Sequence, residues 1–241
     1  MADNVTKIAE ALPDIPRWVE TRSLLLRGHC SVVGEKDDWF LLHDRSPLAA
    51  MIGTPPSRSI RDATDDAHPR LEIICPPENV EWLSDALPDW RAIPAIIHAI
   101  PEGSTAIDKV DISEVRLLEK RERGFFSAAP PHWIKPLEYG LETSFVAAAS
   151  FEAEPASFCA STAVTESLWD VSIITLEGYR QLGLGSASGA FLIRHMRELG
   201  KEPVWRAIEN NSGSLRLAEK LGFEPVDRTY MFVGPEFPEE F

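Results

Sequence analysis

Three things are scarce in this sequence. The first is cysteine: only Cys30, Cys75 and Cys159 occur, an odd number and far apart. They fit no metal-ligand spacing, so no metal is expected, and they suggest reduced thiols in a cytoplasmic protein. The second is long apolar stretches. None approaches the roughly 18 residues needed to span a bilayer, so no membrane partner is expected. The opening residues, MADNVTKIAEALPDIP, carry no basic region followed by an apolar block, and no secretion signal is expected. The third is positive charge. Lys and Arg number 24 against 38 Asp and Glu, a formal net charge of -14 spread along the chain rather than held in a tail. A nucleic-acid partner is therefore not expected, because phosphate backbones need a basic patch. Two readings of the acidity stay open: solubility, or an acidic site that attracts a cationic amine.

What is present suffices for a packed core. Apolar residues make up 44% of 241, which suits one large domain or two small ones. Two parts are read, 1–108 and 109–241. In the first, Val5–Leu12 reads as a helix stopped before Pro13. Trp39–His43 and Leu48–Ile52 read as strands joined by the polar turn DRSP, and Arg91–Ile100 as a buried β-rich run interrupted by Pro94. TPPSRSIRDATDDAHPR reads as a loop with a short helix, and ENVEWLSDAL as a helix entered through Pro76 and Pro77. Pro101–Ser113 is a connector. The second part reads as strand Val115–Leu118, helix Pro130–Leu141, and three strands, Phe145–Phe151, Ala156–Val164 and Leu168–Leu176, joined by hairpins. Helix Gly185–Gly200, strand Val204–Ile208, helix Ser212–Leu221 and a strand near Arg228–Val233 follow. Asn211 or Ser212 can cap the last helix, and Gly222 suits its left-handed end with Phe223 folded back.

The most informative segment is Asp170–Ser186, DVSIITLEGYRQLGLGS. An alternating strand leads through a glycine turn into a fresh helix. Backbone N–H groups at such an end lack chain partners, and the helix dipole favours negative charge there, so the segment is suited to phosphate. A dinucleotide fingerprint fits poorly: position 188 is Ser where the third glycine belongs, and only 56 residues follow Gly185. No Gly-Lys-Ser/Thr follows, which excludes a P-loop.

The tract Arg180-Gln181-Leu182-Gly183-Leu184-Gly185 resembles the R/Q-x-x-G-x-G/A signature of the GNAT superfamily of N-acetyltransferases. The resemblance continues in order through strand VWRAI, Asn211, and a helix ending Lys220-Leu221-Gly222-Phe223. It covers about 109–241. The fold it implies is α/β (α+β), a mixed, mainly antiparallel twisted sheet flanked by helices. The region before 108 is then either a degenerate copy of the same fold or a helper domain.

The resemblance also implies a site. The strand before the signature splays from its neighbour, and the pantetheine arm of acetyl-CoA lies along Ile173, Ile174 and Thr175. The pyrophosphate rests on the amides of Gln181, Leu182, Gly183, Leu184, Gly185 and Ser186, where a Cβ at either glycine would block close approach. Arg180 adds a cation or packs the turn. Asn211 contacts the cofactor arm or caps the helix. A backbone N–H near Thr175 serves as oxyanion donor. Asp170, in an apolar run, is the first candidate for general base, through a raised pKa, and Glu166 the second. The family's helix tyrosine, the acid for the leaving thiolate, is replaced by Ala218, and Tyr230 is the candidate substitute. The implied function is direct, acetyl-CoA-dependent transfer to an amine, on a small molecule or a peptide. A CoA-binding regulatory protein, another acyl group or a hydroxyl acceptor are the alternatives. Trp133 lies in the segment that shapes acceptor sites in the family, although core packing is the simpler reading for it and for Trp82 and Trp90. A homodimer stays open.

Overall fold

The computed structural model describes residues 2–28, 30–44, 46–65 and 68–237. Arg45, in the expected DRSP turn, lies outside the described residues. The chain forms two compact units. Unit 1 comprises Met1–Ile97, Ala207–Asn211 and Val226–Phe241, and unit 2 comprises His98–Arg206 and Ser212–Pro225. The expected division at 108 therefore differs from the observed one in two ways. The first break falls at His98, and two later segments return to unit 1. Hydrophobic periodicity reports local elements but not which sheet a distant strand will join, and the C-terminal strand joins the N-terminal unit.

Unit 1 opens with helices α1 (Ala2–Ala11) and α2 (Val19–Arg27). Strands β1 (Cys30–Glu35), β2 (Asp38–His43) and β3 (Leu48–Ile52) then form an antiparallel meander. Helix α3 (Ser57–Thr64) crosses to β4 (Glu72–Cys75), which runs parallel to β3. Helix α4 (Val80–Ala86) leads to β5 (Arg91–Ala99). Helix α2 and strands β1 and β4 have no counterpart in the sequence reading. Strand β5 survives Pro94 because that residue contributes only its carbonyl, which accepts from the Glu209 amide at 3.0 Å. Strand β12 (Glu224–Val233) pairs antiparallel with β4 through Tyr230↔Cys75 to Val233↔Glu72. Phe40, Met51, Ile60, Ile73, Leu83 and Phe232 make one buried cluster of this unit, with Trp82 and Trp90 packed against it.

One ion pair ties the returning strand down. Arg17 Nε and Nη2 each donate to the Asp227 carboxylate at 2.7 Å, and Nη1 reaches Glu78. The hydrogen bonds from Arg17 hold the Asp227 carboxyl below its ordinary value, against an opposing effect of burial. A depressed folded-state pKa contributes stability that is present above the unfolded carboxylate pKa of about 3.9 and lost as pH falls through the lower folded value. Asp227→Asn is expected to cost about 1 kcal/mol at neutral pH, the pair being about a quarter exposed. It should also flatten the stability-versus-pH curve below about pH 4. Urea unfolding at neutral and acidic pH measures both.

Unit 2 shares part of the element order of unit 1. Strand β6 (Val115–Leu117) is followed by a 3-10 helix over Lys120–Ala128 and helix α5 (Pro131–Thr143). Strands β7 (Val146–Phe151) and β8 (Glu154–Ala160) come next. The expected third strand, Leu168–Leu176, is two strands, β9 (Leu168–Asp170) and β10 (Ser172–Thr175). Helix α6 (Leu184–Glu198), strand β11 (Glu202–Ile208) and helix α7 (Ser212–Lys220) complete the series. In unit 1 two helices precede three strands, β1 to β3, and in unit 2 two helical segments precede four, β7 to β10; in each a strand of the run is parallel to one that follows a helix, β3 to β4 and β9 to β11. The fold is the mixed, mainly antiparallel sheet flanked by helices.

The core of unit 2 lies between α5 and the strands. Phe126, Leu137, Val146 and Phe158 are buried there, with the partly buried Trp133 packed against them. Helix α7 ends as its sequence suggests. Gly222 has φ +84°, and the Phe223 amide returns to the Ala218 carbonyl at 3.0 Å.

Candidate functional site

The break at Val171 opens the site. Strand β9 pairs in parallel with β11 from Leu168↔Glu202 to Asp170↔Val204, and the Val171 amide donates to Val204 at 2.9 Å. Beyond that residue the chain changes partner. Strand β10 pairs antiparallel with β8, from Ser172↔Ala160 to Thr175↔Ser157, and belongs to a second sheet, ordered β10-β8-β7-β6. The Leu176 amide donates to Ala156 on β8. Because side alternates along a strand, Ser172 and Ile174 also turn their main chain to β8, and Ile173 and Thr175 turn theirs outward. A splayed strand with outward donors and acceptors is what an extended ligand can pair with.

At the far end of β10 lies the glycine turn. Gln181 (φ +65°) and Gly183 (φ +85°) are left-handed, and α6 starts at Leu184. The amides of Gln181 to Ser186 donate to no main-chain carbonyl among the described residues; the first main-chain bond of the helix is Ala187 to Gly183. Six successive amides at this helix N-terminus are left as donors, the kind of groups an anion can use. Arg180, Gln181 and Leu182 are exposed around that terminus.

Within the chain the two glycines differ in their surroundings. A Cβ on Gly183 would meet no atom of the chain within 4 Å, and its φ of +85° is one that favours glycine. A Cβ on Gly185 would lie 3.0 Å from Thr175 Oγ1 and 3.4 Å from Leu217, so this glycine lets α6 pack against β10 and α7. Gly189 continues that contact, since its Cβ would lie 2.8 Å from Ile173 Cδ1.

A buried hydroxyl cluster supports the turn. Ser157 Oγ lies 2.9 Å from Thr175 Oγ1, 3.3 Å from Ser188 Oγ and 3.2 Å from the Ile174 carbonyl. It joins β8, β10 and the first turn of α6. Sequence reasoning missed Ser157 and Ser188, because the three hydroxyls are far apart in the chain and match no motif.

Asp170 sits at the hinge. Its Oδ1 accepts from the amides of Thr162, at 2.8 Å, and Ala163, and its Oδ2 from Thr162 Oγ1 at 2.7 Å. The hydroxyls of Ser161 and Ser172 are at 3.5 and 3.4 Å. The carboxylate is thus ringed by donors, not by the apolar surroundings read from its sequence neighbours. Glu166 is exposed in the turn before β9, and Lys201 Nζ donates to its carbonyl at 3.1 Å. Tyr230 belongs to unit 1 and packs against that unit's buried cluster. Ala218 is fully buried. Asn211 is exposed directly before α7, and its amide returns to Ile208.

The three thiols offer no nucleophile. Burial, with smaller contributions from nearby carboxylates, pushes Cys30 up to about 11 and Cys75 up to about 12, and raises Cys159 well above its ordinary value. An alkylating reagent at neutral pH is expected to label Cys75 and Cys159 only after denaturation, as mass spectrometry would show.

The model of one protein family, described as GNAT acetyltransferase, matches residues 105–232. The chain belongs to the GNAT acetyltransferase family. Solved structures of GNAT proteins share its fold over nearly the whole chain. A GCN5-related N-acetyltransferase-like protein from Streptococcus suis has a TM-score of 0.70 at 18% identity, with 96% of this chain and 97% of that one covered. A protein from Novosphingobium aromaticivorans assigned to the GNAT family has a TM-score of 0.65 at 19% identity, covering 92% and 99%. A GCN5-related N-acetyltransferase from Kribbella flavida has a TM-score of 0.62 at 17% identity, covering 91% and 94%. No curated protein matches the chain. In this GNAT chain the splayed strand and the signature turn lie together in unit 2, in the order the motif implies.

Proposed function

We propose that the protein transfers an acetyl group from acetyl-CoA directly to an amine. The observation that carries this reading is the row of free amides from Gln181 to Ser186 beside the splayed strand β10. The residues fit the carrier. The amides of the turn hold its diphosphate, and the outward main chain of Ile173 and Thr175 pairs with its pantetheine arm. Acetyl-CoA supplies an activated thioester with a good leaving group. The Ile173 and Thr175 amides are the fixed donors available for charge developing on the acyl oxygen. Asp170 holds the Ser161–Ala163 turn and the start of β10 in place. Burial of the Cys75 and Cys159 thiols, which raises their pKa, disfavours a thiolate acyl carrier and so supports direct transfer.

The test is release of free coenzyme A thiol by the purified chain from acetyl-CoA across a panel of amines. Turnover with at least one amine is expected. Silence across the panel despite tight cofactor binding would favour a second reading, a CoA-binding regulatory protein. The observation behind that reading is the fully buried Ala218 where the family carries its tyrosine acid.

One coenzyme A per chain is expected. The turn of unit 1 that corresponds to the glycine turn is Gly53-Thr54-Pro55-Pro56. Its prolines have no N–H, and the Thr54 amide donates to Asp38 Oδ1 at 2.6 Å. Too few donors remain for a diphosphate. Calorimetry returning a stoichiometry of two would overturn this.

A further inference from the structure

Strand β10 and helix α6 carry the two halves of the proposed site, the outward main chain and the row of amides. They share no main-chain hydrogen bond among the described residues. Close packing at Gly185 and Gly189 joins them, and packing has no direction. The directional link is Ser157 of β8, whose side chain is fully buried. Its Oγ reaches the Ile174 carbonyl and Thr175 Oγ1 on β10, and Ser188 Oγ on α6.

Each hydroxyl has one proton, and that fixes its role. A carbonyl only accepts, so the Ser157 proton goes to Ile174. The lone pairs of Ser157 Oγ are then free to accept, and Thr175 Oγ1 donates to one of them at 2.9 Å. Ser188 Oγ lies 3.3 Å from Ser157 Oγ and donates at 3.3 Å to the Gly185 carbonyl. The Ile174 carbonyl and the Thr175 N–H belong to one peptide unit. That unit is planar and trans, so its C=O and N–H point to opposite sides. A hydrogen bond held on the carbonyl from within therefore sets the direction in which the Thr175 amide faces outward.

We propose that Ser157 is a positioning residue of the carrier site. It aims the Thr175 amide and ties β10 to the first turn of α6, so that the arm and the diphosphate of one coenzyme A meet donors at a fixed separation. Groups held in place before the ligand arrives need no ordering when it binds. The inference rests on the proposal that coenzyme A binds here.

The test is calorimetric titration of the full chain with coenzyme A, at a temperature where every variant is folded. Ser157→Ala is expected to weaken binding by about tenfold, the equivalent of one hydrogen bond. Thr175→Val keeps the shape of the side chain without its hydroxyl, and should weaken binding by about three- to tenfold. The control is Thr229→Val in unit 1, which removes another buried hydroxyl, bonded to the Cys75 carbonyl at 3.0 Å. It should melt earlier than the parent and bind coenzyme A unchanged. A merely structural hydroxyl lowers the melting temperature and leaves the dissociation constant of the folded chain where it was. Unchanged affinity in both Ser157→Ala and Thr175→Val, with the parent binding, would overturn this inference alone. So would an equal loss in Thr229→Val. No binding by the parent would overturn the coenzyme A proposal and the inference with it.

Discussion

Gly185→Val is expected to weaken coenzyme A binding by about a hundredfold or more, the loss of two or so charge-assisted hydrogen bonds. The reason is steric and local. The first atom added, Cβ, would already press on Thr175 Oγ1 at 3.0 Å and Leu217 at 3.4 Å, and valine adds two methyl groups beyond it. Close-packed interiors do not absorb that volume, so the start of α6 must move off β10. The amides of Gln181 to Ser186 move with it and no longer converge. Gly183→Ala is the control. Its Cβ enters open space, and the only cost is the left-handed φ of +85°, about 1–2 kcal/mol. It should reduce affinity by about tenfold. Calorimetric titration of both variants measures the contrast. Equal losses would mean that approach of the ligand to the backbone, and not helix placement, decides both glycines.

Asp170→Ala is expected to destabilise the chain by about 3 kcal/mol, since it leaves two main-chain donors and the Thr162 hydroxyl without their acceptor. Loss of turnover should accompany it, because the same carboxylate fixes the turn from which β10 departs. The pH profile separates this positioning role from general-base chemistry. A positioning role predicts that the residual activity keeps the acidic limb of kcat/KM. Disappearance of that limb, with stability unchanged, would instead make Asp170 the base. Asp170→Asn sharpens the comparison. It keeps the side chain's size but turns an amide toward donors, so it should restore less than half of the lost stability.

Much of the site was legible because its parts are contiguous. The tract from Ser172 to Ser186 carries a strand, a left-handed glycine and a helix start in fifteen consecutive residues, and each follows from local propensity and from the backbone groups left unpaired. The helix end at Gly222 was legible for the same reason. Strand β3 was found at its observed limits because its apolar run is bounded by polar residues and glycine.

Other features came from partners far away in the chain. Periodicity cannot distinguish one strand of nine residues from β9 and β10, because the break at Val171 is a change of neighbour and not of pattern. The setting of Asp170 was misjudged because its neighbours Trp169 and Val171 are apolar, while the donors that surround it come from a turn seven to nine residues earlier. Strand β12 completes the sheet of unit 1 through pairing with β4, some 150 residues before it, so the division at 108 had no local signal to correct it. The sequence alone determined the family, the glycine turn and most elements, because these depend on short-range backbone chemistry. Tertiary structure decided where the strand parts from its neighbour, which hydroxyls brace the turn and which segments complete each unit, because those depend on packing between residues that sequence distance keeps apart.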